Sequence, residues 1–359
     1  MVKTKSVKLW GVSGILAVAL LLGGNGELAA LLPDGSTAAE RQQQAEIGYA
    51  TGQAEEYEQF LVVDGKGYAH FEGLSAVSRG MYVSALNGLA DKLPPDVRLY
   101  SVLAPTAAAF DLTEDMGGLF PDQQQLIKEA AAGLDERFVA VEIYPVLAAH
   151  KDEYLYFGSD HHWTARAGYL AYTQVAEALG LEPLTEDAWP LIDSETAFLG
   201  SIAGATGSLQ LSRGLDRLYY YQIPYEVKYT YWDNSGQPHA STGVYKSWYL
   251  GQANKYAFFM GGDLPYIKLE TGAKTGRKLA VIKDSYANTV LPWLTAHYDE
   301  IHVIDPRNSR FNAVEIIEES GVDDVLFLNY VRVLCLPEFS ARLMLLGERE
   351  PVARQELAD

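Results

Sequence analysis

The chain has 359 residues, of which 48% are hydrophobic and 21% charged, so it can bury a large core as one large domain or two small ones. Its formal net charge of −19 argues against nucleic-acid binding and against charge-based recognition of an anionic membrane, and leaves a neutral or weakly charged partner easier to accommodate. The lone Cys335 can form no internal disulfide, which excludes a disulfide-rich scaffold but not an extracellular location.

Residues 1–30 carry the pattern of an export signal. Lysines within the first eight residues precede an uncharged apolar run that ends before Glu27. The run is slightly short for a bilayer span, and no clean cleavage site follows it, so a signal-anchor, a cleaved signal and a buried helix all stay open. The positive-inside rule places everything after Glu27 outside the cytoplasm. We therefore expect an exported protein, anchored at the outer face of the cytoplasmic membrane or secreted.

A polar spacer over 31–56, a main domain over 57–345 and a tail over 346–359 are expected to follow. Within the main domain, apolar strands alternate with helices, which favours a parallel sheet covered on both faces. The predicted strands cover 60–63, 99–104, 138–143, 278–282, 300–304 and 324–328. The predicted helices cover 77–93, 122–134, 164–179, 288–295 and 311–320.

The alternation of strands and helices is interrupted over 183–275, which is rich in tyrosine. Stretches with alternating aromatic residues, such as 225–231, predict a strand-rich insertion. Its rings, including Tyr220 and Trp232, could form a platform for carbohydrate or could simply belong to half-buried strands. Both interpretations stay open.

Two polar motifs point to nucleophilic catalysis by a serine. Ser285 follows the predicted strand 278–282 and precedes a helix, which is the edge of an open α/β sheet where ligands bind. Asp160 and His162 lie two residues apart just before another helix, so one loop can present both. An aspartate beside a histidine fixes its tautomer, and the histidine can then accept the serine proton. We expect these three side chains to meet at one edge of the sheet.

Each of these residues has another interpretation. Ser285 could be a helix N-cap, and His161 competes with His162 for the role of base. The paired histidines beside Asp160 also resemble zinc ligands, but adjacent histidines rarely face one ion. We therefore expect neither a metal ion nor another cofactor.

The segment 158–164, Gly-Ser-Asp-His-His-Trp-Thr, with Tyr169 and Tyr172 in the next helix, resembles the DHHW family of exported bacterial proteins. It is also similar to the Asp-x-His-Trp motif of the alginate O-acetyltransferase family. The resemblance covers about 57–334 and includes 104–106 and 198–201. It implies an α/β fold with a permuted SGNH-hydrolase-like parallel sheet flanked by helices. It further implies that Asp160 and His162 act as acid and base, and Ser285 as nucleophile.

The sequence departs from SGNH-like enzymes at Lys283, because their serine block usually begins with glycine. This lysine could reshape the pocket or bind an acidic substrate group. For the oxyanion we propose the backbone N–H of Ser285 and the side chain of Asn329, where the resemblance places an asparagine; Asn329 could equally be a loop residue. The candidates for substrate contact are Lys283, Trp163, His161 and Tyr286.

The leading hypothesis is an exported O-acyltransferase or esterase that acts on cell-surface or extracellular carbohydrate through a Ser-His-Asp triad. Its partners would be a carbohydrate polymer, an acyl donor and, through the N-terminal segment, the membrane. A second hypothesis is a non-catalytic carbohydrate-binding or envelope-assembly protein that retains the fold. A metal-dependent hydrolase is the third.

Overall fold

The computed structural model describes residues 54–112, 120–350 and 352–355. The predicted signal or anchor over 1–30, nearly all of the predicted spacer, and positions 351 and 356–359 of the predicted tail lie outside the described residues. None of the helices in the described part of the chain combines the length and the hydropathy needed to cross a membrane.

The described strands, in chain order, are β1 Glu55–Glu56, β2 Phe60–Val63, β3 Lys66–Ala69, β4 Arg98–Ala104, β5 Phe138–Ala140, β6 Leu191–Phe198, β7 Asp216–Tyr221, β8 Lys228–Trp232, β9 Pro238–Thr242, β10 Tyr266–Glu270, β11 Lys278–Lys283, β12 Glu300–Ile304 and β13 Asp324–Tyr330. The α-helices are α1 Ala76–Ala90, α2 Ala108–Asp111, α3 Gln123–Ala132, α4 Tyr144–Ala149, α5 Ala165–Ala178, α6 Ser201–Thr206, α7 Leu209–Arg213, α8 Leu291–Leu294, α9 Ala313–Ser320 and α10 Pro337–Leu345. Short 3-10 helices cover Glu186–Ala188, Ser247–Gly251, Lys255–Phe258, Ser285–Thr289 and Val331–Cys335.

An eight-stranded sheet with the order β5-β4-β13-β11-β12-β10-β8-β9 is the main sheet of the described residues. The five strands from β5 to β12 in this order are parallel to one another. Their carboxyl ends therefore share one edge, and β11 lies in the middle of the sheet between β13 and β12.

The insertion predicted over 183–275 supplies strands, and three of them extend the main sheet. β10 pairs antiparallel with β12, β8 with β10, and β9 with β8. The other two, β6 and β7, form a separate antiparallel ribbon. The insertion is thus continuous with the sheet on one side.

Both faces of the sheet are covered. Side chains on a strand alternate between the two faces, so neighbouring residues of one strand show what packs on each. Leu279 and Val281 of β11 pack in a first core cluster with the helix α5 and with rings of the insertion. Ala280 and Ile282 pack in a second cluster with α1, α9 and α10. The parallel strands and the helices on both faces confirm the predicted α/β fold class.

The helix predicted over 288–295 is wrong in its extent. A 3-10 helix covers Ser285–Thr289, and the separate α8 begins at Leu291 with Pro292 in its first turn. Proline lacks a backbone N–H and fits a helix only in the first turn, so one continuous helix cannot pass through it.

Candidate active site

Ser285 lies at the carboxyl edge of the sheet, two residues after the end of β11. The preceding residue, Asp284, fixes the turn: one carboxylate oxygen accepts a hydrogen bond from the N–H of Tyr286 at 2.9 Å, and the other from the N–H of Tyr330 at 2.8 Å. Burial raises the pKa of Asp284 to about 6, although Arg307 and the two backbone N–H groups oppose the shift. Asp284 therefore ties the turn that carries Ser285 to the end of β13.

The tetrapeptide Asp160–Trp163 lies in a tight loop before α5. Two backbone hydrogen bonds close the loop, from Phe157 N to His162 O at 3.3 Å and from Thr164 N to Leu155 O at 2.8 Å. Because both ends of the loop are hydrogen-bonded, the backbone positions from which its side chains extend are fixed.

The structure brings Ser285, His162 and Asp160 into one chain of hydrogen bonds. His162 Nε2 lies 2.7 Å from Ser285 Oγ, and His162 Nδ1 lies 2.5 Å from Asp160 Oδ1. The distance between His162 and Ser285 is in the range of about 2.6–3.2 Å that a nucleophile and its base require, and the contact between His162 and Asp160 is a short hydrogen bond. Asp160 is 5% exposed, and His162 and Ser285 are each 7% exposed, so the group is largely buried but not sealed.

The Asp160 carboxylate is held from several sides. Its Oδ1 also accepts the backbone N–H of His162 at 2.9 Å, and its Oδ2 accepts that of Ser201 at 2.6 Å. Burial alone would raise the pKa of Asp160, but its interactions with His162 and His161 and these hydrogen bonds lower that pKa well below the usual range. The carboxylate is therefore ionised at neutral pH, as a group that orients an imidazole must be.

Gly200 allows this arrangement because it has no side chain. A Cβ atom at this position would lie 2.1 Å from Asp160 Cβ and 2.4 Å from Asp160 Oδ2. The segment 198–201, which the resemblance singled out, therefore supplies both the space beside the carboxylate and one of its donors.

Asp216, at the start of β7, holds the segment just before Asp160 through hydrogen bonds. Its carboxylate accepts hydrogen bonds from the N–H groups of Gly158 and Ser159 at 2.8 and 2.7 Å, from the Ser159 hydroxyl at 2.5 Å, and from the Tyr154 hydroxyl at 2.6 Å. The sequence does not single out Asp216, because an isolated aspartate in the tyrosine-rich insertion carries no local pattern.

Lys283 does not lie where a substrate contact would be expected. Its side chain is fully buried, with Nζ 3.0 Å from Asp263 Oδ1 and 3.5 Å from Asp305 Oδ2. Arg307 also pairs with both carboxylates, through Nη2 at 3.0 Å from Asp263 and 2.6 Å from Asp305. The lysine thus belongs to a cluster of two cations and two anions in which Lys283 and Asp305 are fully buried and Asp263 and Arg307 are each 32% exposed, and we do not propose it as a substrate contact.

Trp163 and Tyr286 are also buried, at 0% and 1% exposure. The indole N–H of Trp163 donates to the carbonyl of Tyr286 at 2.8 Å, and the Tyr286 hydroxyl donates to the carbonyl of His161 at 2.5 Å. These two rings join the two halves of the site and are not free to bind substrate.

His161 is the candidate substrate contact that remains accessible, since 32% of its side chain is exposed. Its Nδ1 lies 2.6 Å from the hydroxyl of Ser201. Partial burial lowers the pKa of His161, and the neighbouring His162 lowers it further. The His161 ring is therefore neutral at pH 7.

Asn329 lies in β13, near the carboxyl end of the strand next to β11. Leu328 belongs to the first core cluster, so the alternation of β13 directs Asn329 toward the second. There its Oδ1 accepts a hydrogen bond from the hydroxyl of Tyr82 at 3.0 Å, and Tyr82 belongs to that second cluster. Its Nδ2 is buried and has no hydrogen-bond partner among the described residues, so the side chain keeps a free donor, and its role toward the oxyanion stays a prediction.

Among the described residues, Asp160, His161 and His162 could offer ligand atoms to a metal ion, because these atoms lie within 4.8 Å of one another. However, both ring nitrogens of His162 are engaged by Asp160 and Ser285. An ion at this position would have to displace those hydrogen bonds.

Comparisons with known proteins agree with this architecture. The crystal structure of a DHHW family protein from Eubacterium siraeum is 27% identical in sequence and has a TM-score of 0.73, over 81% of this chain and 97% of that chain. The structure of Bacillus cereus PatB1 with a sulfonyl adduct is 17% identical, with a TM-score of 0.66 over 80% of this chain and 98% of that chain, and shows the same fold. None of the curated proteins compared with the chain matches it.

A family model described as "DHHW protein" matches residues 44–304. This range includes the loop with Asp160 and His162, the whole insertion, and Ser285. Because the match covers well over half of the sequence, the chain belongs to the DHHW protein family.

Proposed function

We propose that this protein is a serine-dependent O-acyltransferase or esterase, exported from the cytoplasm, that acts on cell-surface or extracellular carbohydrate. The observation that carries the proposal is the hydrogen-bonded chain from Ser285 Oγ through the His162 ring to Asp160, with distances of 2.7 and 2.5 Å. Three polar groups aligned in this order, at the ligand-binding edge of an α/β sheet, support nucleophilic acyl transfer.

In the first half of the reaction, Ser285 Oγ attacks the carbonyl carbon of an acetyl or other acyl ester. His162 Nε2 accepts the hydroxyl proton, while Asp160 holds the Nδ1–H and stabilises the imidazolium that forms. The carbonyl oxygen becomes negative, and the backbone N–H of Ser285 is the donor that we assign to it. The bond to the leaving oxygen then breaks, and that oxygen takes the proton from His162, which leaves Ser285 acylated.

In the second half, a hydroxyl group of a sugar or a water molecule attacks the acyl-serine. His162 accepts the proton of this acceptor and returns it to Ser285 Oγ as the acyl group leaves. A sugar hydroxyl gives O-acyl transfer, and water gives ester hydrolysis, so the same three residues serve both reactions.

Tyr220 and Trp232, first considered for carbohydrate binding, are half-buried and pack against other rings. Tyr220 contacts the rings of Tyr245 and Phe258, each at 4.9 Å between centroids. Trp232 stacks on Tyr266 at 4.9 Å. Trp248, by contrast, is 61% exposed, and we propose it as the contact for a sugar ring.

The proposal is tested with Ser285→Ala in the full chain. We expect turnover of a generic acetyl ester to fall by about four orders of magnitude or more, because the nucleophile is lost. Ser340→Ala is the matched control, since Ser340 is also buried but lies in α10, whose Phe339 and Leu343 pack in the second core cluster. Turnover by Ser285→Ala equal to that of the control would remove Ser285 from the mechanism.

A further inference from the structure

The ring of His162 lies between two other rings. The Tyr256 ring is stacked on it, with centroids 3.7 Å apart and planes inclined by 7°. The His161 ring lies 3.8 Å away, inclined by 38°. Two rings cannot both fit on one face at these separations, so each covers a different face of the imidazole. Its edge remains free to reach Asp160 and Ser285.

Tyr256 also contacts the residue to which His162 is hydrogen-bonded. Its hydroxyl donates to the backbone carbonyl of Ser285 at 3.2 Å, and the side chain is only 2% exposed. Burial raises the pKa of the Tyr256 hydroxyl well above its usual value, so it remains a neutral donor. One side chain therefore touches both partners of the 2.7 Å bond between His162 and Ser285.

The segment that carries Tyr256 is anchored at two points that follow the ring in the sequence. After the 3-10 helix Lys255–Phe258, the carbonyl of Met260 accepts the hydroxyl of Tyr229 at 2.6 Å. Three residues further on, Asp263 pairs with Lys283 at 3.0 Å, and Lys283 ends the strand that leads to Ser285. The ion pair thus links the two segments whose side chains meet at His162.

We propose that Tyr256 is a positioning residue, which holds the His162 ring in the plane where its two nitrogens meet Asp160 and Ser285. This proposal rests on the proposed function. Without the stacked ring, the imidazole can rotate about its side-chain bonds, and rotation separates Nε2 from the serine hydroxyl. The electron-rich face of the phenol also favours the imidazolium formed during acyl transfer.

The variant Tyr256→Leu removes the stacked ring, and Tyr256→Phe keeps the ring but removes the hydroxyl. For an acetyl ester, we expect Tyr256→Leu to lower kcat by about 10-fold or more with little change in KM, and Tyr256→Phe to retain most of the activity. Tyr220→Leu is the matched control, because Tyr220 packs in the same insertion against Tyr245 and Phe258. If Tyr256→Leu does not fold, Tyr256→Met replaces it, since methionine adapts its shape to irregular gaps.

A second readout does not depend on turnover. Imidazole ¹⁵N spectra of the full chain should show one His162 tautomer, protonated at Nδ1, in the wild type and Tyr256→Phe, and a mixture of tautomers in Tyr256→Leu. An unchanged spectrum and unchanged kcat in Tyr256→Leu would overturn the proposal, as would equal losses in the Phe and Leu variants. If the wild-type protein turns over no ester, the proposed function fails, while the spectra still decide whether Tyr256 positions His162.

Discussion

The charged cluster around Lys283 allows a prediction of how much the free energy of unfolding falls when one of its charges is removed. Lys283 and Arg307 face Asp263 and Asp305, so the cluster is neutral as it stands. Lys283→Met removes a fully buried cation and leaves the fully buried Asp305 and the 32% exposed Asp263 with Arg307 alone. Breaking a buried ion pair by removing one partner costs about 3–5 kcal/mol. Arg307 still contacts both carboxylates, so we expect a loss near the lower end, about 3 kcal/mol.

The free energy of unfolding is measured by urea denaturation, with the slope of the transition checked to be unchanged. Lys278→Met is the matched control, because Lys278 lies at the start of the same strand and pairs with Glu300 at 3.3 Å while 35% exposed. An exposed pair contributes about 0–1 kcal/mol. The double variant Lys283→Met/Asp263→Asn restores neutrality, so its loss should be smaller than the sum of the two single losses. Equal losses for Lys283→Met and Lys278→Met would refute this account of the cluster.

Three further predictions follow from the site. Gly200→Ala should lower kcat strongly, because the new Cβ would lie 2.1 Å from Asp160 Cβ; wild-type kinetics would contradict the described position of the carboxylate. Asp216→Asn should lower the free energy of unfolding by at least about 2 kcal/mol in urea, since an amide cannot accept all four hydrogen bonds to Asp216; a loss below 0.5 kcal/mol would contradict its anchoring role. The folded-state pKa of Asp284 is raised to about 6, above the usual value of 3.8, so the stability of the wild type relative to Asp284→Asn should fall as pH rises from about 4 to about 6 and then level off. A flat difference across this range would show that the pKa of Asp284 is not raised.

The sequence predicted the location of the site because its signals are local. An apolar strand followed by a polar turn placed Ser285 at the carboxyl edge of the sheet, and the DHHW tetrapeptide placed Asp160 and His162 on one loop. The shared edge of the parallel strands accounts for the position of Ser285, whereas Asp160 and His162 lie between α4 and α5 and meet Ser285 through tertiary packing. Their catalytic roles remain a proposal.

The supporting residues could not be predicted in this way, because each is defined by a contact with a distant segment. Asp216 and Tyr256 lie in the insertion, where tyrosines are frequent and nothing in the neighbouring sequence distinguishes a ring that stacks on His162. Lys283 looked like a substrate contact because it stands beside Ser285 where SGNH-like enzymes usually have glycine. Its partners, Asp263 and Asp305, are brought to it by the antiparallel extension of the sheet and by the next parallel strand.

The central claim is that Ser285 carries the acyl group between donor and acceptor. It is tested most directly by mass spectrometry of the full chain, quenched with acid during reaction with an activated acetyl ester. The account predicts one added acetyl group, located by peptide mapping on Ser285 and absent from Ser285→Ala. Acetylation of Ser285→Ala at the wild-type level, or turnover by the wild type without any acetyl group on Ser285, would contradict it.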